Sequence, residues 1–318
     1  MAIGNAKLHV LFVARKRLLE AHGIRNCIVT GLGATTAGLT PKKRKHIESS
    51  IKYFVNKKRE RMAKLNDLDG KEWVKSTKSW FIIKSNTRGK DVVKHPAKFP
   101  EELAQKFIMF FTKKGEVVSD PFMGVGSTAV ASEQLERNSW GIEVNPDFVS
   151  ISKDRVKNSI IIEGDSRDLS NYSNKADFIL TSPPYWNILK KKRGNSKSQH
   201  SDRAEKELPL YYSDDLKDLG NIDDYNKFLY ELKKVFTNCS TVLDSGRYMV
   251  VIIQNFRNSD GTYVTLAWDL VPIIKECGFS FEGEQLWCQD DKQLGIWGYP
   301  SKFISNVHHH YCLVFRKV

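Results

Sequence analysis

Ser182, Pro183, Pro184 and Tyr185 are the residues of this sequence best suited to do chemistry. They set a hydroxyl, backbone carbonyls and a flat aromatic ring side by side. The hydroxyl and a carbonyl can accept the two hydrogens of a planar amine. The ring can stack on the heterocycle that carries it. Asp177-Phe178-Ile179-Leu180, just before them, is a short apolar run that reads as a buried strand. The two prolines stop both a ladder and a helix, because neither has an N–H to donate. A rigid loop at the carboxyl end of a strand lies where open α/β sheets bind ligands.

A second cluster lies upstream. Gly115-Glu-Val-Val-Ser-Asp120 predicts the first strand of an α/β sheet, and Pro121-Phe122-Met123-Gly124-Val125-Gly126-Ser127-Thr128 opens a helix that runs to about Leu135. Glycines there let the backbone approach a ligand, and a helix N-terminus carries partial positive charge. Trp140-Gly141-Ile142-Glu143 predicts the next strand, closed by a carboxylate suited to accept from ribose hydroxyls. Ile160-Ile161-Ile162 predicts a third strand that ends at Gly164-Asp165, where Asp165 could take an adenine amino group. Gly124, Gly126 and Ala129 also fit a dinucleotide-binding pattern with Glu143 as its acid. A dehydrogenase would account for these first two strands, but not for Ser182–Tyr185.

The remaining chain supplies the scaffold. Helices are predicted from Pro100, from Pro146 to Lys157, from Asp223 to Phe236 and from Val264 to Cys277. Strands are predicted over 246–253, 279–287 and 307–315. Strands and helices alternate until two strands run consecutively, which predicts a mostly parallel sheet of about seven strands ending in an antiparallel hairpin. His308-His309-His310 places at most two imidazoles on one strand face with no acidic or thiol partner, so no metal site is expected.

The hexapeptide Thr181–Trp186 resembles motif IV of the nucleic-acid amino-methyltransferases, whose signature is Asp/Asn/Ser-Pro-Pro-Tyr/Phe. Asp120-Pro-Phe-Met-Gly-Val-Gly-Ser-Thr is similar to the same family's motif I. The segments ending at Glu143 and Asp165 are similar to motifs II and III, and His95-Pro-Ala-Lys-Phe-Pro100 to motif X. The resemblance covers about residues 92–318. It implies a Rossmann-like methyltransferase fold and S-adenosylmethionine as cofactor. The residues it points to for that cofactor are His95, Pro96, Phe99, Asp120, Pro121, Phe122, Gly124, Gly126, Ser127, Thr128, Glu143, Val144, Asp165 and Ser166. It makes Ser182, Pro183, Pro184 and Tyr185 catalytic. The serine form of motif IV points to cytosine N4 rather than adenine N6. An RNA methyltransferase and a non-catalytic binding subunit are the other readings, and the intact motifs speak against the latter.

Charge adds the partner. The chain of 318 residues has a net charge of +13, yet residues 1–90 alone hold 21 Lys and Arg against 6 Asp and Glu. That balance of +15 makes 1–90 a basic, mainly helical N-terminal region, with 91–318 as the catalytic domain. Such asymmetry suggests a polyanion partner, here double-stranded DNA. Lys42, Lys43, Arg44, Lys45, Lys57, Lys58 and Arg59 are the expected phosphate contacts. Lys190, Lys191, Lys192 and Arg193 lie in a long polar loop, 187–220, that would also meet DNA. The family's restriction–modification setting would pair the chain with a cognate endonuclease. No apolar run approaches the ~20 residues of a membrane span, no signal peptide is evident, and the five cysteines form no Cys-x-x-Cys pair. A cytoplasmic location is the expectation.

Overall fold

A computed structural model of the chain describes residues 64–84, 99–172, 175–187, 217–258 and 261–318. The chain divides into two units, Met1–Lys64 and Leu65–Val318. The expected phosphate contacts Lys42–Arg59, the pair His95-Pro96 and the cations Lys190–Arg193 lie outside the described residues.

The second unit is built on an eight-stranded sheet. In chain order its strands are β1 (Trp80–Ile82), β2 (Val117–Asp120), β3 (Asn138–Glu143), β4 (Ile160–Glu163), β5 (Ala176–Thr181) and β6 (Leu243–Ile253). A short β7 (Phe256–Arg257) and β8 (Tyr263–Val264) form a separate hairpin, and β9 (Phe279–Cys288) and β10 (His309–Lys317) complete the large sheet. The spatial order is β1-β9-β10-β6-β5-β2-β3-β4. Strands β2 to β6 pair in parallel, while β10 runs antiparallel to both β6 and β9.

Alternation along β5 explains why the sheet is covered on both faces. Phe178 and Leu180 point to one side, where Leu103, Phe107 and Phe111 of α2 (Glu101–Phe111) pack on them. Ile179 points to the other, against Phe228, Leu232 and Phe236 of α5 (Tyr225–Val242) and Leu270 of α6 (Leu266–Glu276). A strand buried on both faces reads as a continuous apolar run, as Phe178-Ile179-Leu180 does. Local caps fix where the helices start. Asp224 accepts from Lys227 N at 2.6 Å to begin α5. Asn145 caps α4 (Pro146–Arg155), which has proline at its first position. The remaining helix of the parallel half is α3 (Ser127–Gln134).

Residues 65–84 group with the sheet unit, ahead of the catalytic-domain start that the sequence reading set at residue 91. Trp80–Ile82 pairs in parallel with Leu286–Cys288 as the eighth, edge strand. Before it, α1 (Gly70–Ser76) starts in a capping box between Asp69 and Glu72, and its Trp73 ring lies 4.8 Å from that of Phe110. A three-residue strand set among lysines has too short a period to register as one.

Candidate active site

The carboxyl ends of β2, β3, β4 and β5 open on one cleft of ≈ 830 Å³ that is continuous with solvent. Its walls include Phe99, Pro121, Phe122, Gly124, Ser127, Glu143, Val144, Asp165, Ser166, Ser182 and Pro184, all expected from the sequence. Met123, Val125, Ile142, Lys217, Asp218 and Leu219 also line it. The expected cofactor segments and the expected catalytic loop thus share one site.

Asp120, Gly126, Thr128, Pro183 and Tyr185 do not line this cleft. Asp120 is 1 % exposed and accepts from Thr128 Oγ1 at 2.6 Å, Thr181 Oγ1 at 2.7 Å and Phe122 N at 3.0 Å. It therefore clasps the glycine loop to the last residue of β5, one position before Ser182. Burial pushes its pKa up to about 6 against the pull of those three donors. The glycine loop is equally constrained. Gly126 has φ +82° at the N-cap of α3. A Cβ on Gly141 of β3 would fall 2.4 Å from the Asp120 carbonyl oxygen, so only glycine lets β3 pass this close to the loop. Ser152 of α4 holds the Gly124 carbonyl at 2.7 Å.

Glu143 is set by two backbone donors, Gly124 N at 2.7 Å to Oε2 and Asn145 N at 2.9 Å to Oε1. Each oxygen keeps a further acceptor direction. Burial, helped by the charges of Asp218 and Asp120, pushes its pKa up to about 7. Asp165 is held by side chains rather than by backbone donors alone. It lines the cleft, but its carboxylate is gripped by the Arg167 guanidinium at 2.6–3.0 Å, which also reaches Glu231 of α5 at 2.8 Å. Its oxygens are therefore committed to a side-chain network more than to a ligand. Ser166 Oγ donates to the Pro121 carbonyl and stitches the end of β4 to the glycine loop.

The Ser-Pro-Pro-Tyr loop is anchored at both ends. Ser182 Oγ donates to the Ile252 carbonyl at 2.9 Å, on the neighbouring strand β6. Its one hydrogen is thus spoken for, and its lone pairs are left to accept. This removes a donation to a pyrimidine N3 that a free hydroxyl could have made. Tyr185 Oη lies 3.4 Å from Ser182 Oγ. Burial drives the phenol's pKa well above its ordinary value. Trp186 then takes φ +55°, rare for a bulky residue, and its ring is buried 5.1 Å from that of Tyr225. That strained turn and its anchor hold the loop's exit.

Sequence reasoning missed an aromatic row beside Tyr185. The His310 ring stacks on Trp287 at 4.8 Å and stands 6.0 Å from the Tyr185 ring. Desolvation pushes its pKa down to about 3, so the imidazole is neutral, and its enclosed Nδ1 has no hydrogen-bond partner. The alternation of His308 and His310 about the start of β10 was the available signal. Among the described residues no group of His, Cys, Asp and Glu is placed to hold a metal, and no helix is long and apolar enough to cross a membrane.

Known proteins resemble parts of this chain. Residues 36–154 match a family model, N6/N4 methylase, described as DNA methylase. The match begins inside the basic region, which carries no motif of its own on sequence reading. The type II beta methyltransferase M.BslI of Bacillus sp. (strain NEB-606) is 29% identical over 143 residues, 42% of this chain and 15% of that protein. The orphan methyltransferase M.BamHII of Bacillus amyloliquefaciens is 39% identical over 77 residues, 24% of this chain and 29% of that protein. The type II methyltransferase M.BglI of Bacillus subtilis is 38% identical over 106 residues, 33% and 30% of the two chains. The chain therefore spans less than a third of the length of each of these relatives. S-adenosylmethionine is the cofactor the family implies, and the cleft fits it. Glu143 has acceptor directions for ribose hydroxyls, Phe99, Phe122, Val144 and Leu219 offer apolar walls, and Gly124 brings bare backbone to the cleft. With its glycine loop, acidic strand end and Ser-Pro-Pro-Tyr loop around one cleft, the chain is similar to the amino-methyltransferases among the DNA methylases, whose family model matches residues 36–154.

Proposed function

We propose that the protein methylates the exocyclic amine of a base in duplex DNA, and that the base is cytosine, at N4. The observation that carries this reading is the Ser182 hydroxyl, fixed by Ile252 and open to accept in the cleft that Glu143 lines. An arylamine is a weak nucleophile because its lone pair is delocalised into the ring. Ser182 Oγ and the Pro183 carbonyl would accept the amine's two hydrogens and draw the nitrogen toward a tetrahedral state. Tyr185 would stack on the base, which must leave the duplex to be reached. When bound, S-adenosylmethionine supplies an electrophilic methyl group on sulfonium. The chain's contribution is alignment within a site held rigid by the Asp120 clasp and the Trp186 anchor.

The preference for cytosine rests on reach. A serine is shorter than aspartate or asparagine and carries no charge, which suits a smaller ring held close to the loop. The family-model match, described as DNA methylase, supports DNA as substrate. Plasmid DNA from cells expressing the protein, digested to nucleosides, should contain N4-methylcytosine by mass spectrometry. N6-methyladenine in its place would overturn the base assignment and leave the amine chemistry intact.

The basic N-terminal region is proposed to track phosphates. Replacing Lys42, Lys43, Arg44 and Lys45 with glutamine should flatten the plot of log affinity for duplex DNA against log salt by up to ~4 units. An unchanged slope would make the region a solvated surface only.

A further inference from the structure

The segment that joins β9 to β10 exposes five large apolar side chains within ten residues. Leu294 is 71 % exposed, Ile296 88 %, Trp297 46 %, Tyr299 82 % and Phe303 88 %. Soluble surfaces rarely present such a cluster without a partner. The frame beneath it is built. Asn306 brackets Gly295 with two hydrogen bonds, at 2.9 and 3.0 Å, and its Oδ1 also accepts from the Trp297 indole at 3.0 Å. The Gly298 carbonyl accepts from Ser301 N at 2.9 Å and Lys302 N at 2.7 Å. A Cβ on Gly295 would fall 2.4 Å from the Trp297 ring. The polar atoms of the loop are tied inward, and the apolar tips of Ile296, Tyr299 and Phe303 are turned out.

Its place in the sheet narrows the partner. β10 runs antiparallel to β6, with Tyr311 opposite Ile253, and β9 antiparallel to β10, with His309 opposite Cys288. The loop therefore leaves the sheet at the edge that carries Ser182. Its roots meet the site: Gln254 Nε2 donates to the His309 carbonyl at 2.7 Å, and His310 faces Tyr185. Both signs of charge stand near it, with the cations toward its roots and its neighbour Gly261. Lys292 lies close enough to His309 and His310 to disfavour their protonation, and Lys302 lies beside Gly261, whose carbonyl Arg257 holds at 2.7 Å. The acids of the segment, Asp290 and Asp291, sit together at its β9 end.

We propose that the loop Leu294–Ile304 is a wedge that enters duplex DNA beside the target base, with Tyr299 and Phe303 taking the stacking space that the extruded base leaves. The inference rests on the DNA-methyltransferase reading above. A base drawn out of a duplex leaves unstacked neighbours, and apolar side chains inserted at a base step are the chemistry that compensates for it. An aromatic wedge fixed to the same strand ends as the catalytic loop couples opening of the duplex to filling of the site.

The experiment uses the full chain with Tyr299→Ser and Phe303→Ser combined. The target is first mapped by sequencing methylated bases in DNA from expressing cells. Two oligonucleotides then carry it, one fully paired and one with the target base mismatched. The double variant should bind S-adenosylmethionine as the parent does. It should lose about 10–100-fold in kcat/KM on the paired duplex and less than about 3-fold on the mismatched one, where extrusion costs little. Equal activity of variant and parent on the paired duplex overturns the proposal, and so does an equal loss on both duplexes. A parent protein that binds S-adenosylmethionine but methylates neither duplex overturns the functional reading itself, a separate and visible outcome.

Discussion

Ser182→Ala is expected to bind S-adenosylmethionine as tightly as the parent protein and to lose about 10²–10³-fold in kcat, the usual cost of removing one preorganised hydrogen-bonding group from a reacting centre. The size follows from the way the hydroxyl is held. Ile252 takes its hydrogen at 2.9 Å, so the oxygen enters the reaction as an acceptor already oriented. An amine that loses one of its two acceptors keeps its lone pair in the ring for longer. The loss should appear in kcat more than in KM, because the demand for the acceptor grows as the nitrogen becomes tetrahedral. Ser182→Cys, which keeps a weak acceptor, should fall between the two. Single-turnover kinetics on duplex DNA with calorimetric control of cofactor binding would measure it. A Ser182→Ala protein with parental kcat would remove Ser182 from the mechanism.

Cofactor affinity is expected to fall as pH is lowered from 8 to 6. Burial raises the Glu143 carboxyl to about 7, so at pH 8 it is mostly ionised and at pH 6 mostly protonated. Gly124 N and Asn145 N each occupy one direction on its two oxygens. The ionised form still has acceptor capacity for two ribose hydroxyls, and the protonated form loses part of it. Binding therefore favours proton release. Affinity should be flat above pH 8 and steepen below 7 toward about tenfold per unit. Glu143→Gln should bind more weakly at pH 8, by about 1–3 kcal/mol, and should lose the pH dependence between 6 and 8. Titration calorimetry of both proteins at pH 6, 7 and 8 checks this. A parent protein whose affinity does not change over that range would mean that the carboxylate serves only to hold Gly124 and Asn145.

The parallel half of the sheet was legible because its signals are local and redundant. Phe178-Ile179-Leu180 is apolar on both faces, Asn145-Pro146 and Asp224 are helix starts, and the glycines between β2 and α3 mark a turn that has to be tight. Several residues that line the cleft were legible for the same reason, since Pro121, Glu143, Val144, Asp165 and Ser182 sit just at or beyond the ends of readable strands, whereas Lys217–Leu219 do not. Roles within the site were less so. Asp120 and Thr128 belong to motif I by position, yet they serve as a clasp to Thr181, a contact between residues 61 apart that no local pattern encodes. Asp165 looked free for a ligand because Arg167, two residues on, gives no sign in sequence that it folds back on it. The edge strand Trp80–Ile82 and the Trp287–His310–Tyr185 row depend on pairings across 200 and more residues and across separate strands. Such contacts are set by tertiary arrangement, not by period.

The most direct test of the central claim is methyl transfer from labelled S-adenosylmethionine by the purified full chain, offered duplex DNA and RNA of the same sequence in competition. The account predicts label in the duplex DNA, on an exocyclic amine after digestion to nucleosides, and its loss in Ser182→Ala. Label on carbon 5 of cytosine, label in RNA in preference to DNA, or no transfer from a protein that binds the cofactor would contradict it.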